Sequence, residues 1–431
     1  MKRRGFVKGL AATVAALEFI PEVAEGLTER LGTMARDLAG VADESTRWKR
    51  VRREFTLKPG LVHLNCGTIG ASPGLVTAAV IAYLQELESD PLENMWGSSL
   101  GSQTEAVRAK AAEFLGAGKD EVVLTRNTTE GMNHVASGLD LKAGDEVLTT
   151  NHEHGGGRVC WQHLARQRGV RLMYMKMPNP VRHKAQILEL VESHITPRTR
   201  VCSFMHIDTI TGMQMPMADI SAITRKRDIL LACDGAQAPG MLNVDVHALG
   251  VDTYASSSHK WMLAPKGTGL LYVRKEVQDR VRPVFMYSGY GSYSASSGTR
   301  NVPQILGHGV AMDFHNTIGR DRIEERCRQL SNHVRKRAEE ISSLKLLTPA
   351  DRELSSGIVS YSVDGPRNGD IVGQLSKERN IALKPAQGTY ADGPNAADMR
   401  MNHNAIRIST HIFNDESDVD RAMDALKDVL G

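Results

Sequence analysis

The sequence predicts an α/β protein, with a large domain built on a mostly parallel sheet and a smaller α+β domain at the C-terminal end. Three observations carry this. Short apolar runs such as Ile229 to Cys233 have the length and continuity of strands buried on both faces of a parallel sheet. Some of them pass through a polar turn into a helical stretch, as from Val122 to Leu139, which is the repeating unit of such sheets. From about residue 313 the pattern changes to a long charged helix followed by short mixed strands and helices. The 431 residues suffice for two or three domains. The expected division is a leader at 1–25, a helical segment at 26–60, a large domain at 61–312 and a small domain at 313–431.

The composition is that of an ordinary globular protein. A net charge of +3 without a long basic block gives no reason to expect a nucleic-acid partner. Past the first twenty residues no apolar stretch has the length of a membrane span. Met1 to Lys8 is basic and precedes the apolar run Gly9 to Leu17, the order of an export signal. Arg3-Arg4, with Phe6 and Lys8, resembles the twin-arginine type. It implies the twin-arginine machinery as a partner and a periplasmic location. The alternative is a basic terminus with a short amphipathic helix on a cytoplasmic protein. The five cysteines show no metal spacing and no disulfide framework.

Taken in order, residues 26–58 read as a charged surface helix joining the small domain. Leu61 to Asn65 is a short strand, and Gly67 and Gly70 after it permit close backbone approach. Helical spacing covers Val76 to Leu87, is interrupted at Asn94 to Gly97, and resumes from Gln103 to Leu115 before Gly116. The strand Val122 to Thr125 leads through Arg126 to Gly131 into a helix from Met132. Thr128 and Thr129 there suit both an N-cap and a phosphate ligand. Asp145 to Thr149 is a strand followed by His152, Glu153 and His154. That set lacks the spacing of a zinc motif and has no further ligand cluster, so no metal is expected. Arg171 to Met177 and Val201 to Ile207 are strands, and Met217 to Arg227 is a helix.

The central stretch follows. Ile229 to Cys233 ends on Asp234-Gly235-Ala236-Gln237, and a second apolar run ends in Ser256-Ser257-Ser258-His259-Lys260-Trp261. Ligands of open α/β sheets bind beyond the carboxyl ends of strands. A lysine in apolar surroundings has a lowered pKa and forms Schiff bases. An acid facing a pyridine nitrogen keeps that ring protonated. Together they suit pyridoxal 5'-phosphate (PLP); a surface lysine and a helix-capping acid are the plainer reading. Beyond it, Arg320 to Ile341 is a helix, Gly357 to Val363 and Ile381 to Lys384 are strands, and Ser417 to Val429 is the last helix. Ala405 to Ser409 is a strand with one inward arginine, Arg407. It could bind a carboxylate through two parallel hydrogen bonds or pair with Asp415 to Asp420.

Asp234-Gly235-Ala236-Gln237 with Ser257-Ser258-His259-Lys260 resembles the signature of the class V aminotransferases, enzymes of PLP fold-type I, and the resemblance runs from about Leu61 to the C-terminus. It implies PLP as cofactor and Lys260 as the Schiff-base lysine. Asp234 would face the pyridine nitrogen and His154 would stack on the ring. Thr209 and Gln237 would reach the phenolic oxygen. Thr128, Thr129, Ser257 and His259 would hold the phosphate, and Arg407 the substrate carboxylate. The run Gly298-Thr299-Arg300-Asn301 is similar to a loop that crosses a dimer interface, so Thr299 would serve a partner's phosphate in a homodimer with shared sites. Gly155 to Gly157 departs from the family pattern and would leave room for substrate.

Among class V members the chain looks most like isopenicillin N epimerase-type proteins, which implies chemistry at the α-carbon of an amino acid or peptide-borne amino group. Epimerisation, transamination, elimination and oxidation all remain open. Sulfur transfer is discounted, because Lys384 to His403 holds no cysteine. Given the leader, an exported PLP enzyme of pyoverdine-type siderophore maturation is the alternative. A non-catalytic PLP-binding protein is the alternative of another class.

Overall fold

The computed structural model describes residues 23–97, 100–286, 289–290, 298–386, 388 and 399–431. The twin-arginine pair, most of the 290–297 stretch and most of the 387–398 loop therefore lie outside the described residues. Strand β1 is Val62–His63, β2 Val122–Thr125, β3 Glu146–Thr150, β4 Arg171–Met175 and β5 Thr199–Met205. β6 is Leu230–Asp234, β7 Thr253–Ser257 and β8 Gly269–Val273. In the C-terminal part β9 is Leu344–Leu346, β10 Ile358–Val363, β11 Ile381–Ala382, β12 Lys384–Ala386 and β13 Ala405–Ser409.

Strands β2-β8-β7-β6-β5-β3-β4 form one seven-stranded sheet. The five from β4 to β7 run parallel, whereas β8 is antiparallel to both its neighbours. Every residue of β2, β3, β6, β7 and β8 is buried. Uninterrupted apolar runs form these strands because helices cover both faces of such a sheet. Chain order reverses around β5, and the crevice at that reversal is where ligands of open sheets collect.

A second sheet, β12-β13-β10-β9, is antiparallel, and β1 pairs in parallel with β11. Val62 and Leu64 thereby sit in the C-terminal core with Val359, Ile406 and Leu426. The segment after β1 crosses from that core into the cleft, and Asn65 bridges to Ser409.

Several local readings are corrected. Residues 26–58 hold two helices, Val23–Ala39 and Glu44–Arg52. Arg47 and Trp48 are buried, with Arg47 donating to the carbonyls of Leu38 and Val41 at the end of the first helix. The interruption at 94–97 belongs to a short helix, Pro91–Trp96, started by an Asp90 cap and a proline in its first turn. The phosphate-turn helix begins at Thr128, four residues before the expected start, and its cap is Asn127, whose side chain accepts from Glu130 N–H at 2.9 Å. Thr128 does not cap because its hydroxyl is 2.8 Å from Ser257 Oγ.

Candidate active site

Lys260 lies three residues past the end of β7, in a turn held by the segment after β1. Gly70 N–H donates to His259 O at 3.0 Å, and the Cys66 thiol lies 3.6 Å from Lys260 O. A Cβ at Gly70 would stand 2.0 Å from Lys260 O, so only glycine allows this approach. Burial pushes the Lys260 ammonium down to about 8; the Asp234 charge opposes the shift and the Arg407 charge adds to it. At neutral pH most of the amine still carries its proton, but the free, nucleophilic fraction is far larger than for an ordinary lysine.

Asp234 ends β6 and is buried, with Oδ1 accepting from Ala236 N–H at 2.9 Å. Gly157 packs against the other oxygen, where a Cβ would lie 2.4 Å from Oδ2. Gly156 packs equally tightly on Thr129, where a Cβ would lie 2.4 Å from the hydroxyl. Gly156 and Gly157 therefore let the next helix, Gly155–Arg168, close on the acid and the threonine, so the room expected of the run remains only at Gly155, which has no atom within 4 Å of a Cβ. Beside Asp234, Glu153 is fully buried. Burial first, then the Asp234 charge, pushes its carboxyl well up, and Oε1 accepts from Met205 N–H at 2.8 Å.

His154 caps that helix. Its Nδ1 accepts from Gly156 N–H at 3.1 Å, which leaves the proton of the neutral ring on Nε2. Burial and the Lys260 charge hold this imidazole below its ordinary value. His152 turns elsewhere, to Asp208 at 2.7 Å. Among the described residues no group of three or more His, Cys, Asp or Glu could hold a metal ion.

The phosphate candidates converge on the start of the Thr128–Gly138 helix. Ser257 Oγ lies 2.9 Å from Thr128 N and 2.8 Å from Thr128 Oγ1. His259 is pushed down to about 4 by burial and by the charges of Lys260 and Lys266, and its buried Nδ1 has no partner. A helix N-terminus lined by hydroxyls fits a phosphate, and the unpartnered nitrogen of His259, two residues past Ser257, is a further candidate.

Arg407, on β13, faces the cleft. Nη1 donates to Thr209 O at 3.1 Å and Thr209 Oγ1 at 2.6 Å. Nη2 donates to Asn65 Oδ1 at 3.1 Å and Thr68 Oγ1 at 2.8 Å. All four contacts are to neutral oxygens, and buried Nε has no partner. Burial pushes the guanidinium down to about 10. The alternative pairing with Asp415 to Asp420 does not occur. Asp415 and Asp418 meet Arg52 at 2.6 and 2.8 Å, and Asp420 meets Arg337 and His333.

Gln237 donates from Nε2 to Gly67 O at 2.8 Å and Thr209 Oγ1 at 3.2 Å, while Oε1 accepts from the Trp261 indole at 2.7 Å. Both amide hydrogens are therefore engaged within the chain. Thr209 Oγ1, accepting from Arg407 and Gln237, has its own hydrogen left to direct elsewhere.

Thr299 is the one candidate that the single chain does not bring to this cluster. It is exposed and lines a separate cavity of about 440 Å³ with Arg126, Arg300 and His308. Sequence reasoning missed Asn65, Thr68, Glu153 and the indole of Trp261. The polar pair Asn65 and Thr68, immediately after a strand, was the signal available for the first two.

Buried lysine, opposed acid and a hydroxyl-lined helix start define a PLP-dependent enzyme of the class V type, and the residues present fit that cofactor. The family model for aminotransferase class-V matches residues 70–422, and the chain belongs to this family. It is 29% identical to isopenicillin N epimerase of Amycolatopsis lactamdurans over 408 residues, 89% of this chain and 99% of that protein. A probable cysteine desulfurase of Methanothermobacter thermautotrophicus is 26% identical over 405 residues, 89% of this chain and 98% of that one. Among solved structures, a lysine-to-alanine variant of C-DES with glycine covalently linked to its PLP superposes with TM-score 0.76 at 25% identity. That match covers 88% of this chain and 99% of C-DES. PLP bound at Lys260 would supply an electron sink for negative charge at a substrate carbon.

Proposed function

We propose that the protein acts at the α-carbon of an amino acid or a peptide-borne amino acid, as an epimerase- or aminotransferase-type enzyme. The observation that carries this is Arg407: a buried cation with only neutral oxygen partners, in one cleft with Lys260. Such a charge is costly until an anion meets it, and a carboxylate does so with two parallel bonds. Arg407 holds the substrate carboxylate. Lys260, with its lowered proton affinity, removes the α-proton and returns one. Asp234 would support positive charge at the pyridine nitrogen of bound PLP. His154 would lie against its ring, with Nε2–H available as a proton donor.

Sulfur transfer is disfavoured. All five cysteines are buried and free, and burial holds Cys66, the one nearest Lys260, as a thiol. The leader supports export of the folded protein by the twin-arginine machinery to the periplasm, where siderophore maturation is the second reading. The Gly298 to Asn301 run supports a homodimer in which Thr299 serves the partner's site. The test is solvent-deuterium exchange into a panel of α-amino acids and glutamate-bearing peptides, with chiral analysis, keto-acid detection and oxygen uptake. Exchange at the α-carbon is expected. Turnover without any exchange or keto-acid formation refutes the proposal.

A further inference from the structure

Trp261 follows the lysine, is fully buried, and touches neither charge of the site. It nevertheless ties together the elements that carry them. Its backbone carbonyl receives His411 Nε2 at 2.8 Å and lies 3.1 Å from His315 Nε2. His411 stands four residues past Arg407. Its Nδ1 accepts from Ile412 N–H at 2.7 Å, so its proton is on Nε2. Burial pushes both rings down, to about 3 and about 4, so both are neutral. The indole N–H reaches Gln237 Oε1 at 2.7 Å. That contact fixes the amide, because a flipped Gln237 would set NH2 against the indole donor. With Oε1 taken, Nε2 must face Gly67 O and Thr209 Oγ1, and Thr209 in turn holds Arg407. The circuit is closed: Lys260 to Trp261, through Gln237 and Thr209 to Arg407, and back through His411.

From this circuit we infer that Trp261 is a positioning residue that sets the place of the Arg407 guanidinium relative to the Lys260 amine, and so selects ligands whose carboxylate sits one carbon from the amine. The inference rests on the reading of Arg407 as the carboxylate clamp. Trp261→Phe keeps an aromatic six-membered ring and the backbone carbonyl and removes the indole N–H together with the five-membered ring that carries it. The amide of Gln237 then loses its orientation, and Thr209 its second donor.

The experiment compares glycine with methylamine, which lacks the carboxylate, by visible titration of the holoenzyme. In the native protein glycine binds more tightly, and Arg407→Ala abolishes that advantage. Trp261→Phe is expected to reduce the advantage at least about fivefold, the scale of one neutral hydrogen bond, while methylamine affinity and cofactor content stay unchanged. Gln237→Met is expected to produce the same loss, and the double variant no more than either single one. If Trp261→Phe does not fold, Gln237→Met alone carries the test. An unchanged glycine advantage in either folded variant, or additive losses in the double, overturns the inference while leaving the clamp intact. No glycine advantage in the native protein, or one that survives in Arg407→Ala, overturns the clamp itself.

Discussion

Replacing Arg407 with methionine separates a binding role from a structural one. Burial pushes the guanidinium down to about 10, and against the ordinary guanidinium range at 1.36 kcal/mol per pH unit this is a cost of about 3 kcal/mol. Methionine removes that cost. It also strips Thr209 O and Asn65 Oδ1 of a donor, at roughly 1–3 kcal/mol for each group left unsatisfied, whereas the hydroxyls of Thr68 and Thr209 can turn to new partners. The terms oppose each other, so the net effect is expected to lie between a gain of about 1 and a loss of about 3 kcal/mol. A buried ion pair broken at one partner would lose about 3–5 kcal/mol. The assays are thermal melting of the holoenzyme and glycine titration. The expected result is a melting temperature within a few degrees of native and a loss of glycine affinity of about tenfold or more, the scale of charge-assisted hydrogen bonds. A collapse in melting temperature with unchanged glycine affinity refutes the reasoning.

The remaining predictions concern the lysine turn and the glycines that pack on the site. Gly70→Ala places a Cβ 2.0 Å from Lys260 O and 2.7 Å from Leu263 Cδ2, and is expected to lower both melting temperature and PLP retention. Gly369→Ala, with no atom within 4 Å, serves as the control and should leave both unchanged. In the cofactor-free protein the folded Lys260 amine loses its proton near pH 8, the unfolded one near 10.4. The unfolded chain then binds more protons between those values, so stability gains on Lys260→Met as pH rises through that window, and parallel stability curves would count against the buried amine. Gly157→Ala puts a Cβ 2.4 Å from Asp234 Oδ2 and should weaken PLP binding measured by equilibrium dialysis, whereas native affinity would show that the acid tolerates displacement.

Strands were legible where burial is complete. Leu230 to Asp234 and Val122 to Thr125 are short, nearly continuous apolar runs, the length and pattern of strands covered on both faces. The lysine and acid were legible because each sits at or just past a strand end, in a motif whose spacing the resemblance fixed. What escaped depended on partners distant in sequence. Thr128 reads as a cap until Ser257, 129 residues away, takes its hydroxyl. Arg407 reads equally as a clamp or an ion pair until Asn65, 342 residues away, is seen beside it. Arg47 reads as a solvated charge, yet it closes the carbonyl end of the preceding helix. The Gly155 to Gly157 run reads as spare volume, and at Gly156 and Gly157 the helix fills that volume against Thr129 and Asp234.

The central claim is that one buried amine carries the coenzyme opposite one buried carboxylate. Borohydride reduction of the PLP-loaded protein, followed by peptide mass mapping, tests it most directly. The account predicts a single pyridoxyl label on the peptide containing Lys260, at one equivalent per chain and absent from Lys260→Ala. A label scattered over exposed lysines, or retained at full stoichiometry in Lys260→Ala, contradicts it.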